Sequence, residues 1–95
     1  MGAALDKSVV SKLGNSFAAT PGVTKDQAEA FRTLLNDLAR PGVTERDAEQ
    51  RLRGWAGKAP KHAVLVVRSA LLGSTYMRAV PRDSWVVKAI DVPAK

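Results

Sequence analysis

Pro60-Lys61-His62-Ala63-Val64-Leu65-Val66-Val67-Arg68-Ser69-Ala70-Leu71-Leu72 is the stretch on which the fold class turns. Its centre, residues 63–67, is apolar and rich in β-branched side chains, which by itself suits a buried strand. The apolar pattern continues past Leu72, however, through Tyr76, Met77, Ala79 and Val80 to Pro81. Over that length Val64, Val67 and Leu71 share one helical stripe, and Leu65, Leu72, Tyr76 and Val80 make a second. The prolines stand at the start and just past the end, where a helix tolerates them. The reading is a largely buried central helix, bent or broken at Gly73. The alternative is a β-hairpin that pairs residues 63–67 with 85–92.

The fold class follows from that choice. With the stretch helical, the chain is all-α, a compact bundle of four to five short helices. With it extended, the chain is α+β, three helices followed by a small antiparallel sheet. In both cases 95 residues form one domain, 1–95, with loose ends at about 1–5 and 92–95.

Upstream, the helical pattern is unambiguous. Val9, Val10, Leu13 and Phe17 recur at helical spacing. Asp6 or Ser8 can cap that helix, Gly14 costs it about 1 kcal/mol relative to alanine, and Thr20-Pro21 ends it, because a residue before proline is pushed out of the α region. A short repeat follows. Pro21-Gly22-Val23-Thr24-Lys25-Asp26-Gln27-Ala28-Glu29 returns twenty residues later as Pro41-Gly42-Val43-Thr44-Glu45-Arg46-Asp47-Ala48-Glu49, with six of nine positions identical. Thr24 and Thr44 read as N-caps, with Gln27 completing a capping box and Asp47 a shorter version of one. Helix two should span residues 25–39, with Ala28, Phe31, Leu34, Leu35 and Leu38 inward. Helix three should span 45–56, with Ala48, Leu52, Trp55 and Ala56 inward and Gly57 as its stop. The short connection implies an αα-hairpin of these two helices. Past Pro81, Asp83-Ser84 can cap a last helix that turns Trp85, Val86, Ala89 and Ile90 inward. The expected core is Val10, Leu13, Phe17, Phe31, Leu34, Leu38, Leu52, Trp55, Val67, Leu71 and Tyr76.

Composition narrows the chemistry. The chain has no cysteine, which excludes disulfides, thiolate catalysis and cysteine-ligated metal. One histidine cannot complete a zinc site without an all-carboxylate arrangement. No apolar run approaches the ~20 residues of a membrane span, and residues 1–6 lack the charged and apolar regions of a signal peptide, so a cytoplasmic location is expected. Gly2 does not make a myristoylation signal, because Asp6 stands where that signal needs a hydroxyl residue. No cofactor is expected.

Charge is unevenly placed. The net charge is +6. Residues 1–49 hold six basic and seven acidic side chains, and residues 83–95 hold two of each. Between 50 and 82 stand Arg51, Arg53, Lys58, Lys61, Arg68, Arg78 and Arg82, with no acidic residue. Such a stretch favours an anionic partner, either an acidic protein surface or nucleic acid.

Each catalytic candidate reads more simply as structure. His62 has no acid near it in sequence and reads as a surface residue at a helix start. Glu45, Asp47 and Glu49 lie in a helix's first turn, where the dipole favours acids. Gly57-Lys58 resembles the end of a phosphate-binding loop, yet Ala59 replaces the required hydroxyl residue and a helix, not a strand, precedes it. Trp55 and Trp85 fall on inward stripes. The expected function is therefore a non-enzymatic protein–protein interaction module (adaptor, inhibitor or docking domain) with a basic C-terminal half. The alternatives are nucleic-acid binding through 50–82, with Arg46, Gln50 and Arg53 on the outward side of helix three, and a small toxin-like enzyme.

Overall fold

The computed structural model describes residues 4–72 and 84–90. Among them run five helices and no strand: α1 (Lys7–Ala18), α2 (Lys25–Leu38), α3 (Glu45–Lys58), α4 (Lys61–Leu72) and α5 (Trp85–Ile90). The protein is an all-α bundle. Residues 63–67 and 85–90, which the alternative hairpin would pair, are helical in α4 and α5, so the α+β reading is overturned. Tyr76, Arg78, Arg82, the helical pattern beyond Leu72, the Asp83 cap and the tail 92–95 lie outside the described residues.

The repeated sequence builds the same turn twice. Val23 N–H donates to the Thr20 carbonyl at 3.2 Å, and Val43 N–H to that of Arg40 at 3.3 Å. Gly22 and Gly42 follow the prolines with φ of 88° and 95°. Proline then a positive-φ glycine, closed by this bond, is the chemistry of a type II turn. Each turn leads into a threonine cap. Thr24 Oγ1 accepts from Gln27 N–H at 3.1 Å while Gln27 Oε1 accepts from Thr24 N–H at 2.9 Å, a complete capping box. Thr44 Oγ1 accepts from Asp47 N–H at 3.1 Å. The carboxylate of Asp47 pairs instead with Arg51. Thr24→Ala and Thr44→Ala should each cost about 1 kcal/mol, with Thr24→Ala the larger because its box has two bonds. Urea denaturation of the two variants measures both; unchanged midpoints at both positions would mean that the caps carry no stability.

The first cap differs from expectation. Asp6 occupies the N-cap position of α1, but its carboxylate accepts from the Ser8 hydroxyl at 2.7 Å rather than from a backbone amide. Ser84 Oγ caps α5 by accepting from Val86 N–H. Helix α3 runs through Gly57 to Lys58, and its end is set by Pro60, which holds Ala59 extended at φ −73°, ψ 156°. The chain is also held earlier than the expected loose start. Leu5 is buried, and the Ala4 carbonyl accepts from Trp85 Nε1–H at 3.0 Å.

Packing does not follow the connections. α1 packs on α2 and α4, while α3 packs chiefly on α5 and only slightly on α2. The expected hairpin of α2 and α3 is therefore a sparse contact, although its turn is the same as that between α1 and α2. Between α1 and α2, buried Gly14 lets the stem of Arg32 come close; a Cβ there would stand 3.3 Å from Arg32 Cγ. Arg32 Nη2 then donates to Asn15 Oδ1 at 3.0 Å. The buried stripe of α3 is narrow, Ala48, Leu52 and Ala56, and lies on the helix that α5 covers.

Three rings join the repeat-linked helices. Phe17 of α1 meets Phe31 of α2 edge-on at 4.9 Å and Trp55 of α3 edge-on at 5.2 Å. Phe31 and Trp55 stack at 4.0 Å with planes 14° apart. The expected core residues Leu13, Phe17, Phe31, Leu38, Leu52, Val67 and Leu71 are buried, while Val10, Leu34 and Trp55 are partly buried against them. The inward set read for α5 is also buried, and Val87 with it. The fully enclosed helix is thus α5, with Lys88 alone exposed, and not the stretch after Pro60. Helix α4 buries one stripe, Ala63, Val64, Val67 and Leu71, and leaves Leu65 and Val66 exposed.

Candidate interaction surface

The described residues of the basic stretch are distributed over two helices, α3 and α4. Arg51 and Arg53 stand two positions apart on α3, about 200° around the helix, so they project to opposite sides. Both meet acids. Arg51 lies 3.4 Å from Asp47 and 3.6 Å from Asp37 of α2, and Arg53 lies 2.7 Å from Glu49. These groups are half exposed or nearly so, and such pairs contribute little stability. They do shrink the positive field of the stretch, because three acids from outside it are brought onto its first two arginines. Lys58 and Lys61 stand on either side of the Ala59-Pro60 junction, and Arg68 is half-buried on α4. Arg46 and Gln50 of α3 are exposed, and Arg53 beside them is engaged with Glu49.

Helix α4 arranges its remaining side chains by simple rotation. At about 100° per residue, Lys61, Leu65, Ser69 and Leu72 fall on one outward strip, with His62 and Val66 beside it and Arg68 at its border. Leu65 is 61% exposed and Val66 40%, the exposed large hydrophobics among the described residues. The helix has no acidic residue. Its outward side is an aliphatic pair with basic neighbours.

His62 acts as a latch at the start of α4. Its Nε2–H donates to the Pro21 carbonyl at 3.0 Å, against the first type II turn. A Cβ on Gly22 would lie 3.6 Å from that ring nitrogen. The exposed histidine thus ties α4 to the α1–α2 connection. Glu45 and Asp47 lie in the first turn of α3, and no group of three or more potential metal-ligating side chains occurs among the described residues. Gly57 and Lys58 are helical, so no loop is present there to hold a phosphate. None of the described helices is long and apolar enough to cross a membrane.

The chain matches no protein family, no curated protein and no solved structure.

A second feature was not legible in the sequence. A cavity of about 210 Å³ opens where α1, α2 and the end of α3 meet, lined by Phe17, Gln27, Ala30, Trp55, Lys58, Ala59 and Pro60. Its walls come from three separate parts of the chain, so no local spacing announces it. The readable signal was the inward stripe placing Phe17 and Trp55 in one core; the partial exposure of Trp55 depends on the neighbours that α3 meets.

Proposed function

We propose that this protein is a protein-interaction module that docks an acidic, amphipathic segment of a partner on the outward side of α4. The observation that carries this reading is the exposure of Leu65 and Val66 side by side on a helix with basic residues and no acidic one. Aliphatic side chains in water gain roughly 25 cal/mol per Å² when a partner covers them. Basic neighbours select an acidic partner and raise its association rate. An amphipathic helix with leucines at i and i+3 or i+4, and glutamates between, supplies both complements. The pairing of Arg51 and Arg53 with acids weighs against a continuous track for a nucleic-acid backbone, which makes protein the better-supported partner.

The reading is tested with a fluorescein-labelled amphipathic peptide of alternating Glu and Leu faces, a scrambled control and a labelled DNA duplex. The amphipathic peptide should bind, the scramble should not, and the double variant Leu65→Ser, Val66→Ser should lose at least about tenfold in affinity. The variant should melt within about 0.5 kcal/mol of the parent, because these side chains are exposed. Binding of the duplex with steep salt dependence, and none of the peptide, would transfer the function to nucleic acid.

A further inference from the structure

From the cavity between α1, α2 and α3 we infer a recognition site for the C-terminal aromatic residue of a partner chain; the inference rests on the reading of the protein as an interaction module but not on the α4 surface. Three properties of the cavity lead there.

The first is size. About 210 Å³ is below the roughly 300–1,000 Å³ of ordinary small-molecule pockets. It exceeds the roughly 150 Å³ cavity that admits benzene in an engineered core. The space therefore suits one ring. The second is the lining. Half-buried Trp55 offers aromatic surface with the buried ring of Phe17 behind it, and Ala30, Ala59 and Pro60 leave room beside it. Trp55 is held by its stack on Phe31, so the surface is preorganised and a bound ring meets little ordering cost.

The third property decides the polar end of the ligand. Two polar side chains line the cavity, Gln27 and Lys58. Gln27 Oε1 accepts from the Thr24 amide, which fixes the carboxamide and leaves its NH₂ group without a part in the capping box. Lys58 supplies an ammonium, and lysine has no acceptor. Both groups can donate, and the one charge in the lining is the Lys58 ammonium. The complementary group is an anion rich in acceptors, a carboxylate above all, for which such charge-assisted bonds are strongest. With room for one ring and donors in the same wall, a single residue that carries both a ring and a carboxylate fits the space best. A chain ending in Phe, Tyr or Trp meets that requirement, whereas an internal aromatic residue has an amide in place of the acid.

The experiment follows the two indole N–H signals of the isotope-labelled protein during titration with the peptide acetyl-Gly-Ser-Gly-Ser-Phe, with a free carboxylate or a C-terminal amide. Trp55 reports on the cavity. Trp85, buried with its indole N–H on the Ala4 carbonyl, is the internal reference. The free acid should move the Trp55 signal and the Gln27 side-chain NH₂ signals saturably, and leave Trp85 in place. The amide should bind at least about fivefold more weakly. Lys58→Gln, at an exposed site, should abolish that preference. The Leu65→Ser, Val66→Ser variant should bind as the parent does, which separates this site from the α4 surface. Absence of a Trp55 shift at about 10 mM peptide, equal affinity for acid and amide, or a preference that survives Lys58→Gln would each overturn the inference.

Discussion

Deleting residues 84–95 is expected to abolish the cooperative thermal transition of this protein. Six of those residues form α5, which holds five buried side chains and is the principal partner of α3 among the described helices. Full burial of Trp85, Val86, Val87 and Ile90 is worth about 1.5–3 kcal/mol apiece, or about 6–12 kcal/mol together. A domain of this size has a total stability of about 5–15 kcal/mol. The deletion also exposes the Ala48–Leu52–Ala56 stripe and leaves the Ala4 carbonyl without its indole donor. The truncated chain should retain helical ellipticity in α1 and α2, which carry their own packing and capping, but melt without a sigmoidal step. The point substitution Lys88→Ala, at the exposed position of α5, should leave the melting temperature nearly unchanged. A truncated chain that still unfolds cooperatively near the parent temperature would show that α5 covers the core without holding it.

The weight of that prediction falls on an element whose local pattern said little. Trp85-Val86-Val87 suits a strand as well as a helix, and six residues are too few for periodicity to separate the two. What makes α5 helical is tertiary: it fills the space along α3 and touches α4, and the Ser84 cap satisfies an amide at its start. The repeated Pro-Gly-Val-Thr segments lie at the opposite extreme. There the information is entirely local, a proline, a glycine free to take positive φ and a hydroxyl three residues before an amide. The two threonine caps were accordingly readable to the residue, whereas the reciprocal bond read for Asp47 gives way to its pair with Arg51. The end of α3 shows how two local signals compete. Gly57 permits a helix to stop, but Pro60 forbids its continuation, and the chain obeys the stronger constraint.

Exposure was the harder quantity. Apolar residues occur all round 63–72, which reads as a buried helix. The chain is short, however, and among the described helices α1 packs on α4 while α5 only touches it. One stripe is covered, and Leu65 and Val66 remain outside. The same limit applies to charge. The spacing of Asp47 with Arg51 and of Glu49 with Arg53, four residues apart, was open to view in the sequence as paired charges. The approach of Asp37 to Arg51 depends on how α2 and α3 meet, which spacing does not encode. The count of basic residues was therefore legible, and the field they produce was not.

Phe31→Ala is expected to be the most damaging single substitution in the aromatic centre, at about 3–5 kcal/mol. Phe31 is completely buried, and its ring makes the two shortest contacts of the three, 4.9 Å from Phe17 and stacked 4.0 Å from Trp55. Aromatic pairs of this kind add about 0.5–1.5 kcal/mol beyond area burial. Loss of the ring opens a void against neighbours that are held by helix packing and cannot close on it. It also removes the main side-chain contact between α2 and α3, whose mutual packing is otherwise sparse. The contrast is with Leu65→Ala, which truncates a similarly apolar side chain on the outside of α4 and should cost no more than about 0.5 kcal/mol. Guanidinium denaturation followed by tryptophan emission measures both variants, and Trp55 adds a local readout, since release from its stack should alter its emission before unfolding begins. Near-equal midpoints for the two variants would mean that the three rings are packed beside the core and do not hold it. A large cost for Phe31→Ala would in turn explain why Trp55 can remain half-buried at the edge of a cavity without becoming mobile: it is fixed from behind by a ring with no freedom to move.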